Sequence, residues 1–119
     1  VWVGIRPTRE SLPKRNRFVR NERPAQVLVV RTPETLSGQR HHLADELTIG
    51  RAATCDITID DTYASQIHTR VSRRDNEHVV EDLGSTNGTY LNRQKVSSAT
   101  TLKTGDHLQI GSTVFEVMP

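Results

Sequence analysis

Three short segments of this chain carry side chains that suit the binding of a phosphate group. They are Gly50-Arg51, Ser65-Gln66-Ile67-His68, and the turn-rich stretch Asp82–Asn92, which contains Gly84-Ser85-Thr86-Asn87-Gly88-Thr89. Together they supply one guanidinium, several hydroxyls and a side-chain amide. No set of metal ligands and no obvious general base accompanies them. The chemistry indicated is the holding of a phosphate that is already attached to another molecule.

Each polar side chain in these segments has a specific use. Arg51 presents a planar fork that matches phosphate oxygens, although a surface arginine also commonly forms a structural ion pair. Ser65 offers a hydroxyl donor. The alternative interpretation is that Ser65 is a turn residue whose hydroxyl bonds its own backbone. Thr86 supplies a hydroxyl and a backbone N–H, and the Asn87 amide suits an extended peptide backbone. The Asn87-Gly88 pair also reads as a turn that needs a positive φ at Gly88.

Short β-strands are the elements that must position these residues. From Gln26 onward, β-branched and alternating segments are separated by turn signals, and no helical apolar period of ten or more residues occurs. About ten short strands at this spacing predict an all-β sandwich. The triplet Lys103-Thr104-Gly105 reads as a turn between two of them.

One hairpin predicts which of the polar segments meet. A two-residue turn at Asp75-Asn76 joins the predicted strands Thr69–Arg74 and Glu77–Leu83. The loops before and after this hairpin then lie together at its other end, so Ser65 is expected near the Thr86-Asn87 pair. The hydrophobic periodicity of the strands does not predict where Arg51 lies relative to Ser65 and the Thr86-Asn87 pair.

The order, spacing and identity of the three segments resemble the signature of the forkhead-associated (FHA) domain family. The resemblance covers roughly residues 25–119. It implies an FHA-type sandwich of about eleven strands, with loops at one end that bind phosphothreonine peptides. It also implies a small pocket for the threonine methyl group, near the Asn87 loop.

The resemblance assigns roles to individual residues of this chain. The implied phosphate ligands are Arg51, Ser65 and Thr86. The implied peptide contacts are Asn87 and Gln66, which stands where the family often has a shorter asparagine. The residues implied to support the site are Gly50, His68 and Gly88.

Positive charge is concentrated in the first part of the chain. Residues 1–24 hold seven Lys or Arg against two Glu, a net charge of +5, whereas residues 25–119 have a net charge of −3. We interpret residues 1–24 as a flexible basic tail that is either a linker or a segment drawn to anionic lipid. An alternative function is nucleic-acid or lipid binding through this tail. The acidic folded part argues against a nucleic-acid-binding face.

Several protein classes are disfavoured by composition. The 119 residues fit one domain, and no apolar run is long enough for a membrane helix. Cys55 is the only cysteine, so no internal disulfide forms, and it has no phosphate-binding Gly-rich loop beside it. The histidines lack zinc-site spacing. We therefore expect no metal, no cofactor and no enzymatic activity.

The expected partner is a phosphothreonine-containing protein, either a Ser/Thr kinase or its substrate. The basic tail and the run Asp60–Ser65 are similar to those of small bacterial FHA proteins that work with such kinases. We expect a cytoplasmic monomer. The sequence begins with Val1 rather than Met. If an upstream anchor was removed, the protein would act at the inner face of the membrane.

Overall fold

A computed structural model describes residues 21–119 as a β-sandwich, which confirms the predicted fold class. The strands are β1 (Asn21–Pro24), β2 (Val27–Thr32), β3 (Arg40–His42), β4 (Glu46–Gly50), β5 (Ile57–Thr58), β6 (Thr69–Arg74), β7 (Glu77–Asp82), β8 (Thr89–Leu91), β9 (Gln94–Lys95), β10 (Thr100–Thr101), β11 (Lys103–Thr104), β12 (His107–Ile110) and β13 (Thr113–Met118). A five-stranded sheet, in the order β10-β7-β6-β4-β5, packs with a six-stranded sheet, in the order β3-β2-β13-β12-β8-β9, and β1 and β11 form a further pair.

Alternating side chains build the core between the two large sheets. Along β13 the residues Thr113, Phe115 and Val117 are buried, whereas the residues between them are partly exposed. Leu28 and Val30 of β2 join the same aliphatic cluster. Burying each large side chain of this kind contributes about 1.5–3 kcal/mol. The core thus provides a rigid base for the loops at the ends of the strands.

The predicted β6–β7 hairpin is present, and it determines where two of the polar loops lie. Its register runs from Arg74↔Glu77 at the turn to Thr69↔Asp82 at the open end. Asp75 in the turn has φ 58°, as a tight two-residue connection requires. At the open end the Leu83 N–H donates to the His68 carbonyl at 2.9 Å. The loops before β6 and after β7 therefore lie side by side.

Strand β4 brings a third loop to the same end of the sandwich. It pairs antiparallel with β6, with Ile49 opposite Thr69. Because β6 begins where β4 ends, Gly50-Arg51 lies beside the loop that precedes β6. This pairing is the reason for the position of Arg51.

The structure differs from the sequence prediction at one strand pair. Asn21–Pro24, which we assigned to the tail, pairs with Lys103–Thr104, which we read as a turn. With this pair, residues 21–119 contain thirteen strands, whereas about eleven were predicted. Segments of two to four residues that pair across the chain leave no periodicity in the sequence. The rest of the predicted tail, residues 1–20, lies outside the described residues. No helix within residues 21–119 is long and apolar enough to cross a membrane.

Candidate functional site

His68 joins two of the three loops from inside the protein. Its side chain is fully buried. Its Nδ1 accepts a hydrogen bond from the Ser65 N–H at 2.9 Å, and its Nε2 lies 2.9 Å from the Gly88 carbonyl oxygen. A carbonyl oxygen only accepts, so Nε2 carries the proton and the imidazole is neutral. His68 thus holds the Ser65 loop and the loop around Gly88 in one arrangement.

Gly50 allows the β4 loop to lie directly against the Ser65 loop. A Cβ at Gly50 would lie 2.2 Å from the Gln66 carbonyl oxygen, so no side chain fits. Beyond it, the Arg51 N–H donates to the Ser65 carbonyl at 3.1 Å, and the Ala52 N–H donates to the Gln66 carbonyl at 3.0 Å. The Arg51 side chain is exposed, and it has no ion-pair partner among residues 21–119. The guanidinium is therefore free to meet an external anion.

The third loop contacts the Ser65 loop through its own polar groups. The Thr86 N–H donates to the Ser65 Oγ at 3.1 Å, and the Asn87 Nδ2 donates to the Tyr63 carbonyl at 2.8 Å. Ser65 Oγ is the acceptor in the bond from Thr86, so this bond leaves the Ser65 hydroxyl hydrogen able to donate to another group. One amide N–H and the Oδ1 of Asn87 likewise are not used in its bond to Tyr63. The side chains of Thr86, Asn87 and Gln66 are exposed at this surface.

Asp82 shapes the third loop, and sequence reasoning did not single it out. Its carboxylate accepts hydrogen bonds from the Gly84 and Ser85 N–H groups, from the Ser85 hydroxyl at 2.5 Å and from the Thr89 hydroxyl at 2.7 Å. The Ser85 Oγ in turn accepts from the Gly88 N–H at 2.8 Å. Burial alone would raise the pKa of Asp82, but these bonds lower it. An Asp two residues before Gly-Ser, as in Asp82-Leu83-Gly84-Ser85, is a turn signal that the sequence does contain.

Asp61 is a second structural carboxylate that sequence reasoning missed. It is 6% exposed and accepts hydrogen bonds from the Tyr63 N–H at 2.9 Å, from the Ser112 N–H and hydroxyl, and from the Thr113 hydroxyl at 2.8 Å. Burial would raise the pKa of Asp61, and the hydrogen bonds outweigh burial and lower it. Asp61 thereby ties the start of the Ser65 loop to the turn between β12 and β13.

Acid should destabilise the domain through these carboxylates. The pKa of Asp61 in the folded protein lies below 3.8, so the unfolded chain binds more protons at low pH. Its stabilising effect is fully present above pH 3.8 and is lost as the pH falls below that value. We expect the difference in free energy of unfolding between the parent and Asp61→Asn to be largest above pH 5 and to shrink below pH 3.8. Urea denaturation across this range measures it, and a difference that does not change with pH would contradict the assignment.

The assembled surface offers one cation and several hydrogen-bond donors at one end of the sandwich. Arg51, Ser65 and the Thr86-Asn87 pair, which are far apart in sequence, lie on loops that contact one another. Within residues 21–119 no group of three or more His, Cys, Asp or Glu is placed to hold a metal ion. Cys55 is buried, and its thiol donates to the Gln66 carbonyl. This arrangement suits the binding of an anion with acceptor oxygens.

The sequence profile of the FHA domain family matches residues 47–111, more than half of the chain. The chain belongs to this family of phosphopeptide-recognition modules. It is 45% identical over 120 residues to the FHA domain-containing protein FhaB of Mycolicibacterium smegmatis, with all of this chain and 74% of FhaB covered. FhaB of Mycobacterium tuberculosis is 44% identical over 101 residues, or 84% of this chain. The chain spans 65% of the length of that relative.

A solved structure shares the fold of this chain. Mycobacterium tuberculosis EmbR in complex with a low-affinity phosphopeptide is similar to this chain with a TM-score of 0.72 and 28% sequence identity. The similarity covers 81% of this chain and 24% of that one. The shared part is therefore the β-sandwich, one region of the larger protein.

Proposed function

We propose that this protein binds a phosphothreonine-containing partner in Ser/Thr kinase signalling and carries out no catalysis of its own. The observation that carries the proposal is the meeting of three loops. The backbone N–H of Arg51 donates to the Ser65 carbonyl, and the N–H of Thr86 donates to the Ser65 hydroxyl oxygen. The three residues that the family resemblance assigns to phosphate therefore lie on loops that contact one another, which supports the proposal.

The chemistry of each residue fits a phosphate monoester. A phosphorylated threonine carries about −1.5 to −2 charges and three acceptor oxygens. Arg51 supplies a charge-assisted pair, and the hydroxyls of Ser65 and Thr86 supply donors. Asn87 keeps one N–H and its Oδ1 for the backbone of the bound peptide, and the exposed Gln66 is a second candidate contact. The similar EmbR structure contains a phosphopeptide, which supports this class of ligand.

The remaining residues support the site without contacting the ligand. Gly50 permits the close approach of the β4 loop to the Ser65 loop, and His68 joins the Ser65 loop to the loop around Gly88. Gly88 has φ 87°, a conformation that favours glycine. We propose that these three positions maintain the arrangement of Arg51 and Ser65.

The partner is proposed to be a Ser/Thr kinase or one of its substrates. The resemblance of the Asp60–Ser65 run to small bacterial FHA proteins that work with such kinases supports a kinase-linked role, and the similar FhaB proteins are also bacterial. We place this interaction in the cytoplasm, with the protein acting as a monomer. An anchored form would act at the inner face of the membrane.

Four peptides that differ at one residue test the proposed function. We expect the phosphothreonine peptide to bind most tightly and phosphoserine to bind about fivefold more weakly, since the loss of a methyl contact is worth about 1 kcal/mol. Unmodified threonine and glutamate should bind at least about 100-fold more weakly, because they lack the acceptors and charge of a phosphate. Fluorescence polarisation measures the four affinities. Equal affinity for the phosphorylated and unmodified peptides would refute the proposal.

A further inference from the structure

Asn87 and Gly88 form a pair of residues that can react with each other. Of the five asparagines in the chain, only Asn87 is followed by glycine. Asparagine is among the thermolabile residues, because the backbone nitrogen of the next residue can attack its side-chain carbonyl carbon. A following glycine favours this attack, since it has no Cβ to hinder the close approach. The Asn87 side chain is also exposed to water. Sequence and exposure together mark Asn87 as a deamidation site.

Deamidation at this pair follows a defined course. The Gly88 nitrogen gives up its proton to water and bonds to Cγ of Asn87, and Nδ2 takes up a proton and leaves as ammonia. Water then opens the resulting cyclic imide at either of its two carbonyl groups. One opening gives Asp at position 87, and the other gives isoaspartate, in which the main chain runs through the former side chain. The net change is the hydrolysis of the side-chain amide to a carboxylate and ammonia.

Both reacting groups are held by hydrogen bonds that oppose this reaction. The Gly88 N–H donates to Ser85 Oγ at 2.8 Å, and Gly88 is buried. The Asn87 Nδ2 donates to the Tyr63 carbonyl at 2.8 Å, so the leaving group is held on the neighbouring loop. His68 Nε2 donates to the Gly88 carbonyl oxygen at 2.9 Å. Burial and a hydrogen bond to the neutral N–H both disfavour its charged, deprotonated form. The fold therefore slows the proton loss that starts the reaction.

Conversion of Asn87 would change features that the proposed phosphate site uses. A carboxylate has no N–H, so the bond to the Tyr63 carbonyl would be lost and two acceptors would face each other. The new negative charge would lie on the loop that also carries Thr86, and it would repel a phosphate. Isoaspartate would in addition lengthen the main chain between residues 87 and 88. The modified protein is therefore expected to bind phosphopeptide poorly.

We propose that Asn87-Gly88 is a deamidation site whose conversion to Asp or isoaspartate ends phosphopeptide binding, and that the Ser85 hydroxyl restrains this conversion in the folded protein. The effect on binding rests on the proposed function, whereas the restraint by Ser85 does not. Ser85 is a positioning residue in this reaction, because it holds the Gly88 N–H and takes no part in the bonds that form and break.

Rates of deamidation test the restraint. The folded parent, the parent unfolded in urea and the Ser85→Ala variant are incubated in mildly alkaline buffer. Mass spectrometry of the proteolytic fragment that contains Asn87 then measures Asn, Asp and isoaspartate. We expect the folded parent to react at least about tenfold more slowly than the unfolded chain, since several hydrogen bonds must break. Ser85→Ala should react about fivefold faster than the folded parent, since one of these bonds is lost.

Two variants show whether the Ser85 hydroxyl itself is responsible. Ser85→Thr keeps a hydroxyl and should retain the slow rate of the parent. Thr89→Val removes another hydroxyl that bonds Asp82 but leaves the bond between Ser85 and Gly88, so its rate should stay within about twofold of the parent. Circular dichroism checks that the variants are folded. Equal rates in the folded and unfolded parent, or equal acceleration by Thr89→Val and Ser85→Ala, would overturn the restraint.

A charge variant tests the effect on binding separately. Asn87→Asp reproduces one product of the reaction and should bind phosphopeptide at least about tenfold more weakly than the parent. The matched control is Asn76→Asp, which adds the same charge at the turn of the β6–β7 hairpin, away from the site, and should change affinity by less than about twofold. Parental affinity in Asn87→Asp would overturn the effect on binding. Binding by the parent that does not depend on phosphate would instead refute the proposed function.

Discussion

Replacing Arg51 with Ala should abolish phosphopeptide binding while the domain stays folded. The Arg51 side chain is exposed and forms no ion pair within residues 21–119, so its removal leaves the core unchanged. The phosphate would lose its cationic partner, which typically costs about 2–5 kcal/mol, and we expect affinity to fall at least about 30-fold. Titration calorimetry measures the affinity, and circular dichroism checks the fold.

Two further variants make this result specific. Arg40→Ala removes an equal charge from an exposed position on β3, and it should change affinity by less than about twofold, because distant exposed charges are screened by salt. Arg51→Lys keeps the charge but loses the planar fork, so it should bind with intermediate affinity. Retained affinity in a folded Arg51→Ala protein would show that another residue holds the phosphate.

Replacing His68 with Ala should lower stability and weaken binding together. The substitution leaves the Ser65 N–H and the Gly88 carbonyl without their partner and opens a cavity at a fully buried position. Unpaired buried groups cost about 1–3 kcal/mol each, so we expect the free energy of unfolding to fall by about 3 kcal/mol or more. Urea denaturation measures the stability, and phosphopeptide titration below the melting temperature measures the binding.

His78 provides the matched control for this variant. It is also buried and also bonds a carbonyl, that of Ala44, but it lies near the turn end of the β6–β7 hairpin, away from Ser65 and Gly88. His78→Ala should therefore destabilise the domain without weakening the binding of the folded protein. If His68→Ala lost binding at unchanged stability, His68 would be a ligand-contacting residue and not a support of the loops.

Local sequence signals predicted the hairpin and, through it, the meeting of Ser65 with Thr86. The two-residue turn at Asp75-Asn76 fixes a register that depends only on neighbouring residues. The position of Arg51 depends instead on the antiparallel pairing of β4 with β6, about twenty residues apart. No local pattern encodes such a pairing, so the sequence alone left Arg51 unplaced, and only the family resemblance brought it to the site.

The residues that sequence reasoning missed share one physical character. Asp61 and Asp82 have the side chains expected of solvent-exposed positions, yet each accepts several hydrogen bonds inside the fold. Whether a carboxylate is solvated or enclosed depends on segments brought near it by the fold, such as Ser112 beside Asp61. The β1–β11 pair was missed for the same reason, since both partners are short and distant in sequence.

The bonds among the three loops affect the kinetics of recognition. The loops that carry Arg51, Ser65 and Asn87 are joined to one another by hydrogen bonds of the protein itself. We therefore expect a partner to bind a preformed surface without a slow closing step. In the proposed function, we expect association to be governed by diffusion and by the attraction between Arg51 and the phosphate, and to vary little from one partner to the next. Phosphorylated partners are distinguished mainly by how long each complex lasts.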